Sequence, residues 1–163
     1  MVMTRPALSL SRRALLSRGG LLAAGVVLPA CQPRGAHAQL PMTVYRDASC
    51  RCCHLWWEQA RAAGFDATLV DHPDMRAARA KFAVPEPLTS CHTAIVEGLV
   101  FEGHVPFAEI RRLLRERPGG VAGLAVPGMP IGSPGMEIAG RAQEAFAVIT
   151  FGPAGQTVFA RYG

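Results

Sequence analysis

Three cysteines crowd the segment Cys50-Arg51-Cys52-Cys53, and a fourth follows at Cys91. Cys50 and Cys53 have the spacing of a thioredoxin-type redox pair, a motif that sits at the start of a helix. The flanks fit that setting. Met42 to Arg46 reads as a short strand, and Trp56, Ala60 and Ala63 then recur at helical spacing until Gly64 stops the helix. Cys52 breaks the pattern, because a two-electron dithiol needs two sulfurs and not four.

The elements downstream extend the expectation. Phe65, Ala67 and Leu69 alternate as in a strand, and Pro73 opens a second helix with Met75, Ala78 and Phe82 on one face. Thr93–Val96 and Leu99–Phe101 read as strands joined at Glu97-Gly98. Pro106 begins a third helix with Phe107, Ile110, Leu113 and Leu114 inward, closed by Pro118-Gly119-Gly120. The order strand, helix, strand, helix, strand, strand, helix predicts an α/β, thioredoxin-like fold. A Pro/Gly/Met loop follows, in which Pro127-Gly128-Met129 returns as Pro134-Gly135-Met136, its prolines predicting stiffness. Ala145–Phe151 and Thr157–Tyr162 form a predicted terminal hairpin.

The first 38 residues read as a signal and not as part of the domain. Ser11-Arg12-Arg13-Ala14-Leu15-Leu16 carries a twin-arginine signature, and the apolar run Leu21–Leu28 is too short to span a membrane. Ala36-His37-Ala38 offers a small-x-small cleavage site after Ala38, leaving 39–163 as one thioredoxin-like metal-binding domain. The expected location is therefore the periplasm. Leu28-Pro29-Ala30-Cys31 is a competing lipoprotein box, and only a lipid on Cys31 would bring the protein to a membrane.

Charge follows from the same division. The leader holds Arg5, Arg12, Arg13, Arg18 and Arg34 and no acid, so 12 of the 17 basic residues remain against 12 acidic ones. A near-neutral mature chain lacks the basic surface that nucleic-acid binding requires.

A helix N-terminus aims its positive dipole end at the sulfurs, and Arg51 adds a cation, both favouring thiolate. In a thioredoxin-like frame the strand after the second helix runs beside the first helix, which brings Cys91 towards the other three. Four clustered thiols suit a soft metal, and the thioethers of Met129 and Met136 tilt the choice to Cu(I). Zinc would favour two separated ligand pairs. Two disulfides bracing a small exported domain and a zinc or iron–sulfur module remain open at this level.

His92 adjoins Cys91 and is a candidate ligand or ligand partner, whereas His104, just ahead of a helix start, reads as a capping or surface residue. His54 faces either the cluster or solvent, and His72 beside Pro73 reads as a turn residue. Trp56 belongs to the buried stripe, and Trp57 points elsewhere, placed to shield the thiols from water. No nucleophile–His–acid set, phosphate-cradling glycine loop or paired catalytic carboxylate stands out, so hydrolase and kinase chemistry lacks a basis.

The ordered motifs Cys50-Arg51-Cys52-Cys53, Ser90-Cys91-His92-Thr93-Ala94, Glu102-Gly103-His104-Val105-Pro106, Val126-Pro127-Gly128-Met129-Pro130 and Gly132-Ser133-Pro134-Gly135-Met136-Glu137 resemble the CopG-like periplasmic copper-resistance family, formerly a domain of unknown function. The resemblance implies a thioredoxin-like fold holding several Cu(I) ions in a multinuclear thiolate cluster. Cys50, Cys52, Cys53 and Cys91 would be its primary ligands, with His92, His104, Met129 and Met136 secondary. Arg51 departs from the glycine common at that position in the family.

The expected function is copper binding in copper resistance and homeostasis, with copper ions and other periplasmic copper-handling proteins as partners. It does not itself require turnover. The alternative is a thiol–disulfide oxidoreductase using Cys50 and Cys53.

Overall fold

The computed structural model describes residues 39–163. The twin-arginine signature, Cys31, His37 and the Ala38 cleavage site lie outside the described residues. Among those described, no helix is long and apolar enough to cross a membrane.

The chain runs β1 (Leu40–Arg46), α1 (Arg51–Ala62), β2 (Phe65–Asp71), α2 (Met75–Lys81), a short turn of 3-10 helix at Glu86–Leu88, β3 (His92–Val96), β4 (Leu99–Glu102), α3 (Phe107–Glu116), β5 (Gly123–Ala125), β6 (Phe146–Phe151) and β7 (Thr157–Tyr162). The seven strands of the described residues form one sheet in the order β2-β1-β3-β4-β5-β6-β7. β1 and β2 pair in parallel across α1, and β3 lies antiparallel to β1 with His92 opposite Arg46. The thioredoxin-like α/β fold expected from the sequence is the fold observed.

Alternation along the strands builds two layers of packing. Met42, Val44, Ala94, Val96, Phe101 and Leu124 point to one face, where Trp56 and Ala60 of α1 meet Ile110 and Leu113 of α3. Ile95, Val100 and Ala125 point to the other, covered by Phe82, Val84 and Leu88. Trp56 is fully buried and its indole nitrogen donates to the Val105 carbonyl at 3.2 Å, so its one polar atom is satisfied inside the core.

Several boundaries differ from the sequence reading for local reasons. α2 is capped by Asp74, whose carboxylate accepts from the backbone N–H groups of Arg76 and Ala77, and Pro73 lies outside it. Phe82 is the C-terminal cap of α2 and not part of its turn. α3 starts at Phe107 after Pro106 and closes at Arg117 in the left-handed conformation, ahead of the Pro-Gly-Gly run. β5 was not expected. It joins the terminal hairpin to the main sheet, because Leu124 pairs with both Phe101 and Thr150.

Candidate metal centre

α1 begins at the cysteine motif. A turn at Asp47 precedes it, with the Cys50 N–H donating to the Asp47 carbonyl at 3.0 Å and Arg46 donating to the Cys50 carbonyl at 3.0 Å. Arg46 is in turn held by Asp71 at the end of β2. Cys50 is the helix cap, its sulfur accepting from the Cys53 N–H at 3.4 Å. Cys52 and Cys53 therefore occupy the first helical turn, with Cys53 buried and Cys52 half-buried.

The register of β3 against β1 brings Cys91 to this helix end. The Cys52 sulfur lies 3.6 Å from that of Cys50 and 3.8 Å from that of Cys91. The Cys53 sulfur is 3.5 Å from the Cys91 carbonyl oxygen. All four sulfurs fall within 4.8 Å of one another, so the four cysteines singled out in the sequence share one site.

Cys50 and Cys53 are joined by a disulfide, whereas Cys52 and Cys91 are free thiols. In this state only two of the four sulfurs can lose a proton to bind a metal. The helix end and Arg51 favour thiolate within the Cys50–Cys53 motif, and Cys91, immediately before β3, stands in a different environment. Burial, reinforced by the neighbouring Cys52, pushes its thiol up to about 12.

Cys91 also belongs to a second donor group. Its sulfur lies 3.0 Å from His104 Nε2 and 3.4 Å from His92 Nδ1, and the three donor atoms fall within 4.8 Å of one another. His104 Nδ1 is 2.7 Å from the Pro134 carbonyl, which can only accept. The proton must therefore sit on Nδ1, leaving the Nε2 lone pair aimed at Cys91. Burial lowers the pKa of both imidazoles, His92 well below its ordinary value with His104 adding to the effect. Both rings are thus neutral and able to donate a lone pair at neutral pH.

His104 corrects the sequence reading, being fully buried against Cys91 and not a surface cap. His92 is buried as well, between Trp56 at 4.6 Å and His104 at 5.0 Å between ring centroids. Among the described residues its Nε2 is buried without a hydrogen-bond partner, an orphaned polar atom inside the site. His54 lies half-exposed beside Glu58, and His72 accepts from the Asp74 N–H in a turn. Trp57 does not shield the thiols, because its indole donates to the Ala67 carbonyl on β2 at 2.8 Å.

The Pro/Gly/Met loop folds over the cluster. Ser133 closes a tight turn onto the Pro130 carbonyl, and Met136 donates back to Ser133, so the loop carries its own hydrogen bonds. Glu137 ties it to α1 by accepting from Gln59 and from the Gly135 N–H. The two Pro-Gly-Met repeats are not equivalent. The Met129 thioether reaches 4.0 Å from the Cys52 sulfur and stays 53% exposed at the rim. Met136 instead sits within the loop's own hydrogen bonding, its N–H donating to the Ser133 carbonyl at 2.8 Å and its carbonyl accepting from the Gly132 N–H at 3.0 Å.

Two neighbours of the cluster are not singled out as site residues in the sequence reading. Arg79 on α2 and the fully buried Glu102 at the end of β4 form an ion pair at 2.9 Å directly behind Cys91. A charged residue closing an apolar strand opposite Thr93 was the available clue to Glu102.

This geometry defines a thioredoxin-like domain with a cluster of soft sulfur and imidazole donors at the start of its first helix. Comparison with known proteins places that description. A family described as "Protein of unknown function, DUF411" matches residues 88–136. A solved structure of copper resistance protein CopG, form 2, is 43% identical with a TM-score of 0.72, covering 77% of this chain and 99% of its own. Form 1 is 42% identical with a TM-score of 0.71, covering 76% of this chain and 98% of its own. No curated protein matches the chain. The chain belongs to the CopG-like copper-resistance family.

Proposed function

We propose that this protein binds Cu(I) as cargo through a multinuclear thiolate cluster, in copper resistance and homeostasis. The convergence of four cysteine sulfurs, with Cys91 shared by an imidazole pair, carries the reading. Similarity to copper-resistance proteins makes a copper-related role the natural one for that donor set. Soft thiolates and thioethers select Cu(I), and a sulfur within reach of two donor groups is suited to bridging metal ions.

Cys50, Cys52, Cys53 and Cys91 are the primary ligands in this account, with His92 and His104 completing the Cys91 side. Met129 contributes from the solvent rim, and Met136 remains a secondary candidate on its motif alone. Binding displaces the thiol protons, and the neutral imidazoles need lose none. The protein acts in the periplasm after twin-arginine export and cleavage beyond Ala38, or on a membrane through a lipid at Cys31. Other periplasmic copper-handling proteins would deliver or receive the metal.

The disulfide supplies a direct test. Opening Cys50–Cys53 takes two electrons and two protons from a dithiol reductant and yields two further thiols. Cu(I) titration should therefore give a higher copper-to-chain ratio after reduction and removal of the reductant than before. Equal ratios in the two states would contradict a four-sulfur site. The alternative, a thiol–disulfide oxidoreductase using the bonded pair Cys50 and Cys53, makes a different prediction. In that case disulfide exchange without metal would survive loss of Cys52 and Cys91.

A further inference from the structure

Ser90, immediately before Cys91, is gripped through its backbone from both sides. Its N–H donates to Glu102 Oε1 at 2.7 Å, and its carbonyl accepts from Arg79 Nη2 at 2.5 Å. The same Glu102 oxygen accepts from Arg79 Nε at 2.9 Å, and the other accepts from the Thr93 hydroxyl at 2.6 Å. One guanidinium and one carboxylate thus fix the residues on both flanks of Cys91-His92. The fork of Arg79 is used at two of its nitrogens, a geometry that lysine does not reproduce.

The grip extends to the loop. The Ser90 hydroxyl donates to the Gly128 carbonyl, one residue before Met129, and Gly128 N–H donates to the Thr89 carbonyl at 3.4 Å. Gly103 makes room for this crossing. A Cβ there would stand 2.5 Å from both Cβ and Oγ of Ser90 and 2.6 Å from the Val126 carbonyl, on a backbone at φ +73.

The cost of the arrangement argues that it does more than brace the fold. A buried carboxylate loses hydration that its ion pair only partly restores, and well-packed apolar residues usually serve stability as well. Glu102 is fully buried, yet both of its oxygens are spent on the Cys91 segment. We propose that Arg79 and Glu102 are positioning residues that hold Cys91, and through Ser90 the Met129 loop, at the distances the donor cluster requires. This rests on the copper-binding reading for its purpose, but the positioning itself is independent of metal.

Arg79→Lys and Glu102→Gln test it, with two readouts on the full protein. In the reduced, metal-free state, the alkylation rate of Cys91 relative to Cys52 is mapped by mass spectrometry. Loss of one charge-assisted bond should raise that ratio about tenfold. In the second readout, Cu(I) bound by the variants should show an altered thiolate-to-copper absorption spectrum. A lower Tm with an unchanged alkylation ratio would mean a merely structural pair and would overturn the proposal. Failure of both variants to fold would overturn it too, by making the pair a folding element. A changed alkylation ratio in a protein whose parent binds no copper would sustain the positioning and sink the copper reading instead.

Discussion

Replacing Cys91 by serine is expected to cause the largest single loss of Cu(I) affinity, more than about 100-fold, because even an outer-shell partner is worth about 10–100-fold. Cys91 is the sulfur common to the cysteine group and the cysteine–histidine group. Removing it separates the Cys52 thiol from the His104 lone pair, because the Cys91 sulfur is the one that stands 3.0 Å from that nitrogen among the described residues. The Cys50–Cys53 disulfide is untouched by the change. A competition titration with a Cu(I) chelator measures the effect, with Cys52→Ser as the comparison. Cys91→Ser binding Cu(I) as tightly as the parent would remove the shared-sulfur argument.

Gly135→Ala should damage both stability and the site. A Cβ at this position would lie 2.8 Å from the Trp56 nitrogen, 3.0 Å from its Cα and 3.1 Å from the Cys52 carbonyl oxygen, with φ already at +80. The atoms it meets are the backbone of α1, which cannot swing aside as a long side chain does. Left-handed strain costs about 1–3 kcal/mol and overpacking a similar amount. Thermal unfolding of the reduced protein should therefore drop by roughly 10 °C. Gly119→Ala, where a Cβ meets nothing within 4 Å, should change it little. The loop pushed off α1 also carries the Pro134 carbonyl that fixes the His104 tautomer. Copper affinity should fall along with the Tm, whereas an unaltered Tm would show that the loop does not rest on the helix.

The parts of the site legible in the sequence were those tied to regular structure. Cys50, Cys52 and Cys53 announce a helix start by their spacing, and the strand order then brings Cys91 to the same end. Trp56 declared itself by helical periodicity. β5 escaped because Gly123-Leu124-Ala125 is too short to alternate visibly, and only its neighbours β4 and β6 make it a strand.

His104 was misread because its burial depends on residues about 30 positions later. Before the 127–136 loop folds over it, a histidine ahead of a proline and a helix looks like a surface cap. The Pro-Gly-Met repeat is symmetric in sequence but not in space, so it could nominate Met129 and Met136 without choosing between them. Nothing in the string of residues records whether Cys50 and Cys53 are bonded, since that depends on the redox surroundings. The Arg79–Glu102 pair stayed hidden for another reason. Arginine on a short helix reads as a solvated residue until the strand behind it is placed.

The central claim is that four thiolates form one copper-holding cluster, and the number of copper ions per chain tests it most directly. Copper and protein are quantified after Cu(I) loading of the reduced protein and of a Cys52→Ser, Cys91→Ser double variant. The account predicts more than one Cu(I) per chain in the parent and a sharp fall in the double variant. Full copper loading retained by the double variant would contradict it.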